Sequence, residues 1–93
     1  MKDLDPLLHS HLRLAIMSIL MAQEEAEFNY LKEQTSSTAG NLSVQLKKLE
    51  DAGYLKITKG YKGNYPHTMC SLQTKGRKAF EKYVEDLKSY FNF

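Results

Sequence analysis

The sequence predicts a mainly α fold with one small β-hairpin, an α+β arrangement in a single domain spanning residues 1–93. Three observations carry this. Leucines recur at helical spacing through TSSTAGNLSVQLKKLEDAGYL, apolar and polar residues alternate on both sides of the turn-rich GYKGNYP, and helical spacing returns after Thr74. Ninety-three residues lie near the lower size at which one chain buries a useful core, and a composition 42% hydrophobic and 26% charged fits a folded protein.

At the start, Asp5–Pro6 reads as a cap and first-turn pair, because proline there forfeits no hydrogen bond. Leu8, Leu12, Ala15, Ile16, Ile19 and Leu20 predict a helix to about Ala22, with Ser10 marking a restart or kink. Leu4, Leu7, Leu14 and Met17 widen its apolar surface, which calls for a second partner. Gln23 to Glu27 reads as a polar, acidic connection. Asn29 can cap a short helix, Tyr30 to Gln34, with Phe28 and Leu31 turned inward.

Thr35–Ser36–Ser37 is a turn, and Thr38 has the side chain of an N-cap for a third helix at about 38–52. Leu42, Leu46 and Leu49 form its inward face, and Gly53 stands where a left-handed residue closes the helix. Outward come Gly40, Asn41, Ser43, Val44, Gln45, Lys47 and Lys48. Such small or polar residues suit a helix lying in a groove. Tyr54 to Lys59 alternates as a half-buried strand, Gly60 to Pro66 is dense in turn formers, and His67 to Leu72 alternates again, giving a hairpin at about 54–72. Thr74 can cap a last helix at about 74–91, whose Ala79, Phe80, Tyr83, Val84, Leu87, Tyr90 and Phe91 exceed what so small a core absorbs. The excess predicts a dimer seam of Leu4, Leu7, Leu8, Tyr83, Leu87, Tyr90 and Phe91.

Net charge is +2, but its distribution is uneven. Residues 1–53 carry five Lys/Arg against eight Asp/Glu, whereas residues 54–93 carry eight against three. No acid occurs between Asp51 and Glu81, while Lys56, Lys59, Lys62, Lys75, Arg77 and Lys78 fall in that gap. Clustered positive charge suggests a polyanion; a basic solvated hairpin without a partner is the plain alternative.

No run is long and apolar enough to span a bilayer, and the start, acidic and broken by His9, His11 and Arg13, is not a signal peptide. The single Cys70 forms no internal disulfide and fits a reducing cytoplasm. His9, His11 and His67 are too scattered for a metal site, and no cofactor motif is present. Cys70 reads as a small core residue rather than a redox sensor. Without a nucleophile–base pair, carboxylate pair or phosphate loop, an enzyme is the weakest reading.

Helix, short polar turn, helix is the helix-turn-helix arrangement, and a basic hairpin directly after it makes a wing. In this order of elements the chain resembles winged-helix transcriptional regulators of the MarR and ArsR kind, and more closely their small relatives consisting of little besides the DNA-binding domain. LDPLLHSHLRLAIMSIL, FNYLKEQT, TAGNLSVQLKKLEDAGYL and KGYKGNYPHTMCSLQTKGRKAF carry the resemblance. It implies a homodimer, paired through first and last helices, on an inverted-repeat operator in double-stranded DNA. Gln45 departs from the histidine common in the family, His11 from a proline, and Gln73 from a threonine. The closely spaced cysteines of metal-sensing members are missing.

Thr38, Gly40, Asn41, Ser43 and Val44 then lie at the end of the recognition helix that meets base edges. Asn41 can pair with adenine, Val44 can pack on a thymine methyl, and Gly40 allows close approach of the backbone. The plain alternative makes Thr38 a cap, Gly40 a helix flaw and the rest solvated. Lys47, Lys48 and, on the wing, Lys59, Tyr61, Lys62 and Asn64 would serve phosphates, which give affinity without sequence information. Ser10 and Arg13 can touch the DNA backbone, or Arg13 can form an ion pair within the domain. The competing function is a winged helix used for protein–protein assembly, its basic wing meeting an acidic partner.

Overall fold

The structure, a computed structural model, describes residues 2–91. Its elements run α1 (His11–Gln23), β1 (Glu25–Glu27), α2 (Phe28–Thr35), α3 (Ala39–Asp51), β2 (Leu55–Lys62), β3 (Tyr65–Leu72) and α4 (Thr74–Lys88). The strands form one antiparallel sheet in the order β1-β3-β2. Four helices and this small sheet are the α+β winged-helix arrangement expected from the sequence.

The core is where the helical spacing puts it. Ile16, Met17 and Leu20 of α1, Leu31 of α2 and Leu42, Leu46 and Leu49 of α3 are buried against Leu55 and Cys70 of the hairpin and Tyr83 of α4. Each leucine so removed from water contributes about 1.5–3 kcal/mol, enough together to fix α3 on the other two helices. Burial and the nearby Glu50 carboxylate push the Cys70 thiol from 9.0 up to about 11, as expected of an inert packing residue.

Several boundaries differ from the sequence expectation. The first helix begins only at His11, because Ser10 Oγ accepts from Arg13 N; Asp5 heads a separate turn, its Oδ1 accepting from Leu7 N at 2.9 Å. Within the expected acidic connection, Glu25–Glu27 is a strand, paired Glu25↔Ser71, Ala26↔Cys70 and Glu27↔Met69. Only Ala26 of the three turns into the core, so the acidic composition hid it. Helix α2 starts at Phe28 with Glu27, not Asn29, at the cap position. Thr74 is the first residue of α4 rather than its cap, which is Gln73, and that helix ends at Lys88.

The hairpin strands reach further than the alternation suggested. They pair out to Lys62↔Tyr65, leaving a two-residue turn of Gly63 and Asn64, with Gly63 at φ +64 as such turns require. Pro66 is accommodated in β3 because β1 pairs only with Met69 to Ser71, so its missing N–H breaks no bond to β1.

Two of the expected dimer residues are instead intramolecular. Leu8 is wholly buried and Tyr83 nearly so, its hydroxyl 3.1 Å from His9 Nδ1, so neither is free to meet a second copy. Tyr54 closes the same end of the fold, its hydroxyl donating to Asp5 Oδ2 at 2.5 Å. Burial first, then that hydrogen bond and the Asp5 charge, raise its pKa from 10.0 to about 12. Between these two values unfolded chains lose a proton that the folded form keeps, so stability falls as pH rises through that window. Thermal melts should show Tyr54→Phe below the wild type near neutral pH, for want of the Asp5 bond, with the gap closing towards about pH 12. A constant gap would refute this.

Candidate nucleic-acid interface

Helix α3 is positioned at both ends by local chemistry. Thr38 Oγ1 accepts from Asn41 N at 3.1 Å, and Gly53 takes φ +80 just beyond the C-cap Ala52. Its first turn carries no acid, so the unpaired amides there leave a positive end. Gly40, Asn41, Ser43, Val44, Lys47 and Lys48 are all exposed, Val44 by 52%. An exposed valine on a helix already fully seated by three leucines has no role in this core.

Asn41 is held from behind. Arg13 of α1 donates through Nε to the Leu7 carbonyl at 2.6 Å and through Nη1 to Gln45 Oε1 at 2.5 Å; Gln45 Nε2 then donates to Asn41 Oδ1 at 3.0 Å. Ser10 caps α1 and Arg13 braces α3, so each has an internal role beside the DNA-backbone contact expected of it. Among the described residues Arg13 forms no ion pair, and both of its acceptors there are neutral.

The helix is tied to the hairpin by Glu50, whose Oε2 accepts Ile57 N at 2.9 Å, a backbone donor of strand β2 at the sheet edge. Between them lies an open groove of about 650 Å3, lined by Ser43, Leu46, Lys47 and Glu50 of α3, Phe28, and Ile57, Lys59 and Thr68 of the sheet. Helix and wing therefore share one surface there, with lysines on both walls.

A family model described as a winged helix DNA-binding domain matches residues 12–91. The chain belongs to that family. An uncharacterised protein of Methanocaldococcus jannaschii, MJ0432, is 38% identical over 79 residues, covering 85% of this chain and 86% of the relative. Among solved structures, a transcriptional regulator homologue protein from Pyrococcus horikoshii superposes with a TM-score of 0.85 at 26% identity, over 92% of this chain and 85% of that one. AbfR, solved bound to DNA, shares the fold at TM-score 0.75 and 18% identity; this chain covers 58% of its length. The family model describes a DNA-binding domain, and the Pyrococcus horikoshii neighbour is named as a transcriptional regulator homologue. The resemblance to small winged-helix regulators thus stands.

Within this winged helix the pleat separates the wing residues. Lys59 and Tyr61 follow Leu55 and Ile57 on the face turned towards α3, whereas Lys62 shares the opposite face with His67 and Glu27. There Glu27 Oε1 lies 3.1 Å from His67 Nε2 and 3.7 Å from Lys62 Nζ. The His67 hydrogen bond, opposed by desolvation and helped by the His67 and Lys62 charges, lowers the Glu27 pKa below 4.5. Extending the alternation past Lys59 would have separated Lys62 from Lys59 in the sequence itself.

Lys47 is also engaged, with Asp51 Oδ1 at 3.2 Å and Glu50 Oε1 at 3.3 Å; Asp51 first and Glu50 second raise its pKa. Lys48 and Lys59 have no carboxylate partner among the described residues. Tyr65, 77% exposed beside the wing turn and paired with Lys62, carries no sequence signal beyond its place among turn formers.

Proposed function

We propose that the protein is a dimeric, sequence-specific double-stranded DNA-binding transcriptional regulator that represses by occluding its operator. Helix α3 enters the major groove, with Thr38, Gly40, Asn41, Ser43 and Val44 towards the bases and Lys47 and Lys48 towards phosphates. Lys59, Tyr61 and Asn64 of the wing follow the backbone or minor groove, and Lys62 joins them from the far face by exchanging Glu27 for a phosphate. The observation that supports this is the groove whose two walls, Ser43 and Lys47 on the helix and Lys59 and Thr68 on the sheet, put a lysine of α3 and a lysine of the wing on one surface.

Dimerisation runs through the N-terminal arm and α4. Leu4, Leu7, Leu87 and Tyr90 are half-buried, while Val84 and Phe91 stay 38% and 72% exposed. That is an apolar fringe a second copy would cover. The free thiol of Cys70 suits a cytoplasmic location, no cofactor is called for, and the dimer seam is the place open to a small-molecule effector of unknown identity. Selection of bound duplexes from a random pool is the test. An inverted repeat with half-site centres roughly 34 Å apart, one turn of B-DNA, is expected. A non-repeated motif would overturn the dimeric reading, and no enrichment would overturn sequence readout altogether.

A further inference from the structure

We infer that Arg13 and Gln45 set the base preference of the recognition helix by forcing Asn41 to present its NH2 group to DNA. The inference rests on the DNA-binding reading above and adds what one side chain of it would select. Guanidinium groups only donate, so the group Arg13 Nη1 meets on Gln45 must be the carbonyl oxygen. That choice turns the Gln45 NH2 towards Asn41, and an NH2 likewise only donates. Asn41 must therefore offer it Oδ1, 3.0 Å away. Each amide orientation follows from the one before, back to an arginine fixed on the Leu7 carbonyl. Neither amide can flip without setting two donors against each other.

Asn41 is exposed and lies in the first turn of α3, the part of a recognition helix that reaches base edges. End-on pairing with adenine needs Oδ1 and Nδ2 turned to the base together, one accepting from N6 and the other donating to N7. With Oδ1 turned along the helix to Gln45, the outward edge is a donor. Guanine offers a donor two acceptors, N7 and O6, and thymine offers O4; adenine offers only N7, and its N6 amino group is left without the acceptor that makes the paired contact. Arg13 and Gln45 are positioning residues here, acting on DNA through Asn41.

Three proteins, wild type, Asn41→Ala and Gln45→Met, would be put through the same selection of random duplexes, with circular dichroism confirming that each is folded. Wild type should enrich guanine or thymine at one position per half-site, and Asn41→Ala should make that position degenerate. Gln45→Met cannot donate, so it frees Oδ1, and adenine should gain about tenfold in relative affinity there. Arg13→Met, which releases the Gln45 amide to flip, should move the preference the same way. Adenine at the Asn41 position in the wild type, or Gln45→Met profiles identical to it, would overturn the inference. A motif indifferent to Asn41→Ala would overturn it while leaving the regulator reading intact. No enriched motif in the wild type would bring down both.

Discussion

Gly76→Ala should lower the melting temperature by roughly 8–16 °C, although alanine is the better helix former. A Cβ at Gly76, in the first turns of α4, would stand 2.1 Å from the Tyr54 carbonyl oxygen and 2.8 Å from its carbon. That carbonyl cannot easily retreat. It accepts Gln73 N at 3.0 Å, its residue's hydroxyl is held by Asp5, and Lys75 lies over the Tyr54 ring at 6.0 Å. Gly53, just before it, is at φ +80, with the Lys75 side chain 3.4 Å from where its Cβ would be. Overpacking of this kind costs about 1–3 kcal/mol and occasionally more; a backbone clash falls at the upper end. Helix propensity returns about 1 kcal/mol, and each net kcal/mol shifts a domain of this size by about 4–8 °C.

Gly40→Ala is the matching control, since nothing lies within 4 Å of its Cβ position. It should raise stability by up to about 1 kcal/mol, yet weaken duplex binding if α3 brings its backbone against DNA. Calorimetric melts of both variants decide the packing question. A Gly76→Ala protein melting with the wild type would mean that α4 does not sit on the Tyr54 carbonyl.

This contrast marks what the sequence could and could not convey. The register of α3 was legible because all its determinants are local: Thr38 caps, Leu42, Leu46 and Leu49 share a face, and Gly53 ends the helix. The hairpin was legible as alternation, but its length was not. Beyond Lys59 both strands are exposed except for half-buried His67 and Thr68, and cross-strand backbone pairing holds what burial does not. Strand β1 has a single inward residue and two glutamates, so no periodicity could show it. Gly76 looked like any helical glycine, because its closeness to Tyr54 is a property of the folded chain. The same holds for the hydrogen bond between Arg13 and Gln45, which lie 32 positions apart. Candidate DNA-facing residues on α3 were therefore readable as a face, while what orients them was not.

Reversing the charge of both Lys48 and Lys59 should weaken duplex binding roughly 100-fold at moderate salt and flatten its salt dependence. Each phosphate left without its lysine removes about 0.9 from the slope of log K against log salt, so two should remove about 1.8. Lys59 lines the groove between α3 and the wing, Lys48 is exposed on α3 outside that lining, and neither is neutralised by a carboxylate among the described residues. Lys47 and Lys62 begin from a different state. Phosphate must displace Glu50 and Asp51 from the first and Glu27 from the second, so part of what each phosphate supplies is offset by an ion pair given up. Reversing Lys47 and Lys62 together should accordingly cost less than reversing Lys48 and Lys59. The weakening from either pair should be nearly uniform across duplex sequences, because phosphates carry no base identity. Fluorescence anisotropy titrations over a range of salt, on a selected and an unrelated duplex, separate these cases. If the Lys48/Lys59 reversal left affinity and slope unchanged while the protein still self-associated, the basic face would be serving a protein partner, and the groove between α3 and the wing would not be the DNA surface.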